Sequence, residues 1–224
     1  SLALRKLLDS IGNKNLILIK DKDVDKFIAD QLRTNKKVSV NKYLRHLRSL
    51  FNEAIIRKYI ESNPFAKRQL RFKKNPPNYL KAHEIKKLFA VVDNPAFLNL
   101  IKFYIYTGAR RTEICRLNWK DIDLKNNLIF FNKTKSGNYK TVPISDALGK
   151  VIISMKRGDA QIGKIFPFWQ PDTISHYFKK YAKKAGITAK LHDLRHTYAS
   201  HLALKGESLK TIQELLGHSN IQAT

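Results

Sequence analysis

The sequence predicts a mainly α protein with a small antiparallel β-sheet, split into a helical N-terminal domain and a larger α+β domain. Three observations carry this. Apolar residues recur at three- and four-residue spacing along most of the chain. One stretch, NLIFFNKTKSGNYKTVPIS (127–145), instead places two apolar runs around Ser136-Gly137-Asn138, a turn signal. A basic segment broken by two prolines, AKRQLRFKKNPPNYL (66–80), separates two blocks of helical pattern. The expected organisation is a helical domain over 1–75, a linker region over 66–79, and a second domain over 80–224.

The first helix shows the face Leu4, Leu7, Leu8 and Ile11; the second, opened by an Asp-rich turn, shows Val24, Phe27, Ile28 and Leu32. The longest spans SVNKYLRHLRSLFNEAIIRKYI (39–60), with Tyr43, Leu47, Leu50, Phe51, Ala54 and Ile55 on one side. Lys42, Arg45 and Arg48 recur every third residue beside that stripe. Such a row is either a solvated helix face or a row laid along phosphates. SNPF (62–65) stops the helix, because proline disfavours a helical residue before it. Arg71, Lys73 and Lys74 make the linker basic enough to lie against an anionic partner. Beyond it, AHEIKKLFAVV and AFLNLIKFYIYTG read as two helices, and a third runs from about Arg110 to Leu117. The β segment follows, then helices over 146–156, 172–185, 192–205 and 208–216.

Composition narrows the function. Against 43 Lys and Arg stand 18 Asp and Glu, a net charge of +25. The excess is no tail: residues 1–76 hold 19 basic and 7 acidic residues, and the remainder is equally one-sided. That charge opposes compaction, and its usual purpose is a polyanion, nucleic acid ahead of an anionic membrane. The single cysteine, Cys115, excludes an internal disulfide and a cysteine-based zinc site, and fits the reducing cytoplasm. No apolar run approaches the roughly 18–20 residues of a membrane span. SLALRKLL has neither an initiating Met nor a signal-peptide core, so a fragment or trimmed chain is expected.

Several residues carry possible chemistry. In TGARRTEICRLNWKDID (107–123), Arg110 and Glu113 are three apart on a helix start, and share a face. A carboxylate that fixes a guanidinium leaves the outer fork for an anion, although a purely structural pair would look the same. Lys135 lies in the hairpin turn, where an amine also projects for no reason but solubility. LHDLRHTYASHL (191–202) packs His192, Asp193, Arg195 and His196 into five positions at the start of an apolar-striped helix. His192 and His196 are at i, i+4, a zinc spacing, but no HExxH glutamate and no third ligand accompany them. LLGHS (215–219) closes a helix at Gly217 and exposes His218.

Taken in order, TGARRTEICRLNWKDID, KTKSGNYKTVPIS, HDLRHTYASHL and LLGHS resemble the tyrosine recombinase (phage integrase) family. The resemblance covers essentially the whole chain. Residues 1–75 are similar to its helical core-binding (SAM-like) DNA-binding domain, and 80–224 to its α+β catalytic domain. It implies that Arg110 and Arg195 are the catalytic arginines and that Glu113 supports the first. Lys135 is the hairpin lysine (Lys133 being close by), His192 pairs with Arg195, and His218 is the last histidine. His196 packs or orients. The implied activity is site-specific cutting and rejoining of duplex DNA through a 3′-phosphotyrosyl intermediate, serving integration, excision or dimer resolution, often in a mobile element.

The resemblance implies no cofactor and no metal; the partners are double-stranded DNA and, on two DNA sites, a homo-tetramer, with a monomer expected off DNA. It places the nucleophilic tyrosine a short way past the last histidine, beyond Thr224, where none of the nine tyrosines stands. The expectation is a missing or disordered tail, so that this polypeptide as written binds DNA without cleaving it in cis and assembles less readily. Two other readings remain: a non-catalytic DNA-binding or architectural protein of the same fold, and a histidine-ligated metal nuclease.

Overall fold

The computed structural model describes residues 1–73, 76–131, 140–156 and 162–217. The chain divides into two compact units, Ser1–Asn75 and Pro76–Thr224, each with its own apolar core.

In the first unit, α1 (Leu2–Ile11), a 3₁₀ turn (Leu16–Leu18), α2 (Asp21–Thr34) and α3 (Lys37–Ile56) enclose one core. The buried stripe of α1 is Ala3, Leu7 and Ile11, and Leu8 points to solvent. On α2 the buried polar residue Gln31 takes the place expected of Leu32, which is exposed. α3 buries Val40, Leu44, Leu47, Phe51 and Ala54.

α3 ends at Ile56 rather than 60, and proline is not the cause. Lys58 turns left-handed (φ 60°), its N–H bonds Ile55 O, and Tyr59 N–H reaches back to Ala54 O, tying off the last carbonyls. SNPF does something else. Asn63 Oδ1 accepts Phe65 N–H at 2.8 Å while its amide donates to Arg48 O at 3.0 Å, and this turn drives Phe65 into the core against Phe51.

The stretch read as linker, 66–79, is anchored at both ends. The carboxamide of Asn41 bonds both backbone groups of Leu70, at 2.8 Å each, so the chain belongs to the first unit that far. On the other side, Asn78 donates to Thr188 O at 2.9 Å, and Leu80 N–H donates to Thr197 Oγ1 at 2.9 Å.

The second unit runs α4 (Ala82–Val91), α5 (Pro95–Thr107), α6 (Arg111–Arg116), a 3₁₀ turn (Trp119–Asp121), β1 (Ile122–Asp123), β2 (Leu128–Phe131), β3 (Lys140–Pro143), α7 (Asp146–Met155), α8 (Pro171–Lys184), α9 (Asp193–Leu204) and α10 (Leu209–Leu216). Apolar nearly all round, α5 is the central helix, with α7 and α9 packed on it. Asn94 caps its start, where Phe97 N–H reaches Asn94 Oδ1 at 3.0 Å, and Pro95 supplies a first residue that needs no donor.

The sheet is antiparallel in the order β1-β2-β3, with Ile129 opposite Val142 and Phe131 opposite Lys140. β1 was not anticipated, since two residues carry no periodicity. The hairpin tip, with Lys133 and Lys135, lies outside the described residues, as do Lys74 and His218. Among the described residues no helix is long and apolar enough to cross a membrane.

Candidate active site

The site is built where several element ends meet: the α5–α6 turn, the start of α9, the end of α10 and the inner face of β3. The turn comes first. Thr107 Oγ1 donates to Phe103 O at 2.7 Å and accepts Ala109 N–H, closing α5. Gly108 follows at φ 57°, and a Cβ there would collide with the ring of Tyr198. Only glycine lets α9 approach this closely. Tyr198 is therefore a packing residue, and burial pushes its phenol up to about 12.

Arg110 caps α6. Its N–H donates to Glu113 Oε2 and its Nη1 to Oε1, both at 2.7 Å, so one carboxylate holds both ends of the residue. The i, i+3 pair expected from sequence is present, with Glu113 nearly buried at 8% side-chain exposure. Arg110 Nη2 then reaches Gly217 O at 2.9 Å. Arg195, in the first turn of α9 and 3% exposed, donates from Nη1 to Gly108 O at 2.7 Å and from Nη2 to Leu216 O at 2.6 Å. α10 stops at Gly217 (φ 65°), and its last carbonyls have no helical partner. Two guanidiniums thus converge on the consecutive carbonyls 216 and 217, at the negative end of that helix. Each fork has five N–H donors, and these bonds occupy two of each.

His192 precedes α9, its ring edge-on to His196 at 4.8 Å between centroids. Partial desolvation, then His196 and Arg195, hold His192 below the ordinary imidazole value. Burial, and Arg110 after it, push Arg195 down to about 10. A cavity of about 240 Å³ opens beside them, lined by Tyr104, Arg111, His192 and Arg195. The buried Tyr104 hydroxyl in its wall has no hydrogen-bond partner among the described residues, and burial raises its pKa strongly.

Lys140 was missed in the sequence. Its side chain is fully buried, with Nζ 3.3 Å from Thr107 O, 3.9 Å from Glu113 Oε2 and 4.9 Å from the Phe131 ring centroid. Burial pushes its amine down to about 7; Glu113 opposes the shift, and Arg195 and Arg110 add to it. The signal was available: on a period-2 strand, Lys140 shares its face with the apolar Val142. Arg110, Arg195 and Lys140 thus crowd around the carboxylate of Glu113, so positive charge is in excess among the described groups.

The other sequence candidates lie in the first unit. Lys42 and Arg45 are exposed on α3, and Arg71 and Lys73 are exposed after it. Arg48 is different: its Nε donates to Phe65 O at 3.1 Å and its Nη2 to Arg68 O at 2.7 Å, so it holds the 65–68 turn rather than standing free in a row. Among the described residues no group of three His, Cys, Asp or Glu could hold a metal ion.

The model of the phage integrase family matches residues 78–224, and that of the phage integrase SAM-like domain matches 21–74. The chain belongs to the phage integrase family. A tyrosine recombinase of Thermosipho africanus is 30% identical, the match covering 98% of this chain and 83% of that protein. Tyrosine recombinase XerA of Pyrococcus horikoshii is 26% identical over 91% of this chain and 73% of its own length. Two solved structures share the fold of this integrase-family chain at 21% identity. One is a lambda integrase dimer bound to a COC′ core site (TM-score 0.83, covering 100% of this chain and 87% of that one). The other is the Tn1549 transposon integrase in complex with a circular-intermediate DNA (TM-score 0.84, covering 99% and 85%).

Proposed function

We propose that this protein is a site-specific DNA strand transferase that clamps a scissile phosphodiester between Arg110 and Arg195. One observation carries the reading: two arginines 85 positions apart in the chain, one of them buried, are brought to adjacent backbone carbonyls with a single carboxylate, Glu113, among the described groups beside them. Like charges gathered this way cost stability, and an anionic ligand offsets that cost.

The chemistry suits the residue types. A phosphorane transition state gathers negative charge on its non-bridging oxygens, and planar forks match them in a way that lysine does not. His192 offers a ring N–H to the same oxygens. In the step itself, the phenolic oxygen of a tyrosine attacks phosphorus and its proton is released to the medium. The P–O5′ bond breaks, and the 5′-oxygen leaves with a proton from Lys135. The phosphoryl group stays on tyrosine, conserving the bond for reversal by another 5′-hydroxyl without ATP. The resemblance puts that tyrosine beyond Thr224, and Lys135 and His218 enter as its remaining donors. In this reading residues 1–75 and 80–224 form a clamp on duplex DNA, and the working assembly is a homo-tetramer on two sites.

The test uses protein expressed to the natural stop codon of its reading frame. It is mixed with sheared source-cell DNA in EDTA and quenched with SDS. Covalent protein–DNA adducts are expected, and Arg195→Ala should abolish them while leaving duplex binding largely intact. Salt-sensitive binding without adducts would favour the non-catalytic architectural reading. Adducts at the native rate from Arg195→Ala would overturn the clamp.

A further inference from the structure

We propose that Lys140 is a positioning residue of this clamp: it takes a proton from solvent when an oxyanion docks at Arg110 and Arg195, and the resulting ammonium fixes Glu113 and the Thr107-Gly108 turn in place. The proposal rests on the phosphate-clamp reading and goes beyond it, because nothing in the proposed chemistry uses Lys140.

The geometry is that of an under-compensated buried amine. Among the described residues Nζ has one hydrogen bond, to the neutral carbonyl of Thr107, and the nearest carboxylate oxygen, on Glu113, stands at 3.9 Å, beyond hydrogen-bond reach. That carboxylate is already held twice by Arg110. Among the described residues, the charged groups facing Lys140 from the surrounding elements are Arg110 and Glu113 of the α6 start and Arg195 of α9. Phe131 of β2 covers it from the strand side, and Thr107 from α5. Its stem lies under the very residue that Arg110 grips: a Cβ on Gly217 would sit 3.5 Å from Lys140 Cδ and 3.7 Å from Arg110 Nη1. The amine therefore belongs to the same cluster of cations as both guanidiniums.

In the free protein an ammonium here is opposed by burial and by two like charges, so the group is poised near neutrality rather than locked as a cation. An oxyanion on the guanidiniums reverses the local balance of charge. Protonation then becomes favourable, and the ammonium donates to Thr107 O and attracts the Glu113 carboxylate 3.9 Å away. Linkage makes this reciprocal: if the anion favours the proton, the proton favours the anion. A clamp built this way gains a positive charge as the anion docks, without carrying the cost of that buried charge in the free protein.

Lysine ε-¹³C NMR on the 224-residue protein tests this directly, with the Lys140 signal assigned by its loss in Lys140→Arg. The pH titration is run in sodium chloride and in sodium sulfate at matched ionic strength, sulfate being the oxyanion probe. Occupancy is followed separately by the Gly108 and Gly217 amide signals. The expected result is a Lys140 midpoint near 7 in chloride and at least one unit higher in sulfate, one unit corresponding to tenfold tighter sulfate binding by the protonated form. Lys140→Met, if folded, should retain sulfate binding but lose its rise toward low pH attributable to this group. A chloride midpoint near the ordinary lysine value would overturn the proposal. So would a sulfate-independent midpoint while the Gly108 and Gly217 signals respond, an outcome that leaves the clamp standing. If those glycine signals do not respond to sulfate at all, the clamp reading falls, and this inference with it.

Discussion

Arg48 in the first unit and Arg195 in the second make the same bonds, each donating from two nitrogens to two backbone carbonyls at 2.6–3.1 Å. Their surroundings differ. In the unit of Arg48, which is half-buried, two cations are paired with acids of α2: Lys14 with Asp23, and Arg68 with Asp21 and Asp25. Arg195 instead lies buried beside Arg110 and Lys140, with Glu113 between them. Tying carbonyls together needs one cation, as Arg48 demonstrates. A hydrogen-bond pattern therefore does not separate these two arginines, and burial beside other cations does: Arg48 is half-buried, Arg195 is 3% exposed with Arg110 and Lys140 nearby.

The largest effect should come from keeping the charge while removing the fork. Arg195→Lys in the stop-codon-complete protein should slow single-turnover adduct formation by about 100-fold or more, the loss typical of one preorganised donor. Arg48→Lys should leave that rate within about twofold. Equal losses at the two positions would erase the distinction drawn here. The next effect is on folding. Arg48→Met strips two carbonyls of a charged donor and should destabilise the first unit by about 2 kcal/mol, read by hydrogen exchange of the α3 amides. A variant as stable as the parent would mean that the 65–68 turn holds itself.

Lys140 sharpens the comparison through pH. Its amine is held near 7 when folded and is about 10.4 unfolded, so between these values the unfolded chain binds more protons and stability rises with pH. Below pH 7 the folded protein carries the full cost of the buried ammonium. Lys140→Met should therefore melt a few degrees higher than the parent at pH 6, and this advantage should shrink steadily toward pH 10. A melting difference that does not vary with pH would place the lysine in ordinary compensation, like Lys14.

Local signals made part of this legible. The fold class followed from periodicity, since helices such as α5 and α8 and the β2–β3 hairpin carry strong patterns. The Arg110–Glu113 pair followed from its spacing at a helix start. What failed depended on tertiary partners. The end of α3 was misplaced because a left-handed Lys58, not Pro64, terminates it, and lysine carries no sequence signal for that conformation. Arg48 was grouped with Lys42 and Arg45 because a three-residue spacing cannot show the Phe65 and Arg68 carbonyls waiting across the turn. Lys140 was overlooked because a lysine near a hairpin reads as solvated, although its register with Val142 put it on the inner face.

The smallest predicted effect concerns the row on α3. If the first unit meets DNA through exposed cations, each phosphate contact adds about 0.9 to the slope of log affinity against log salt. Lys42 and Arg45 are exposed and make no ion pair among the described contacts, whereas Arg48 is half-buried with its fork on two carbonyls. With a duplex of arbitrary sequence, Lys42→Ala and Arg45→Ala should each lower the slope by about one contact. Arg48→Met, measured where the first unit remains folded, should leave it unchanged. A slope that falls for Arg48 as it does for its neighbours would put all three on the phosphates after all, and an arginine could then hold a fold and read an anion at once. A slope unmoved by Lys42 and Arg45 would return the row to a solvated helix face, with the second unit carrying the DNA contacts.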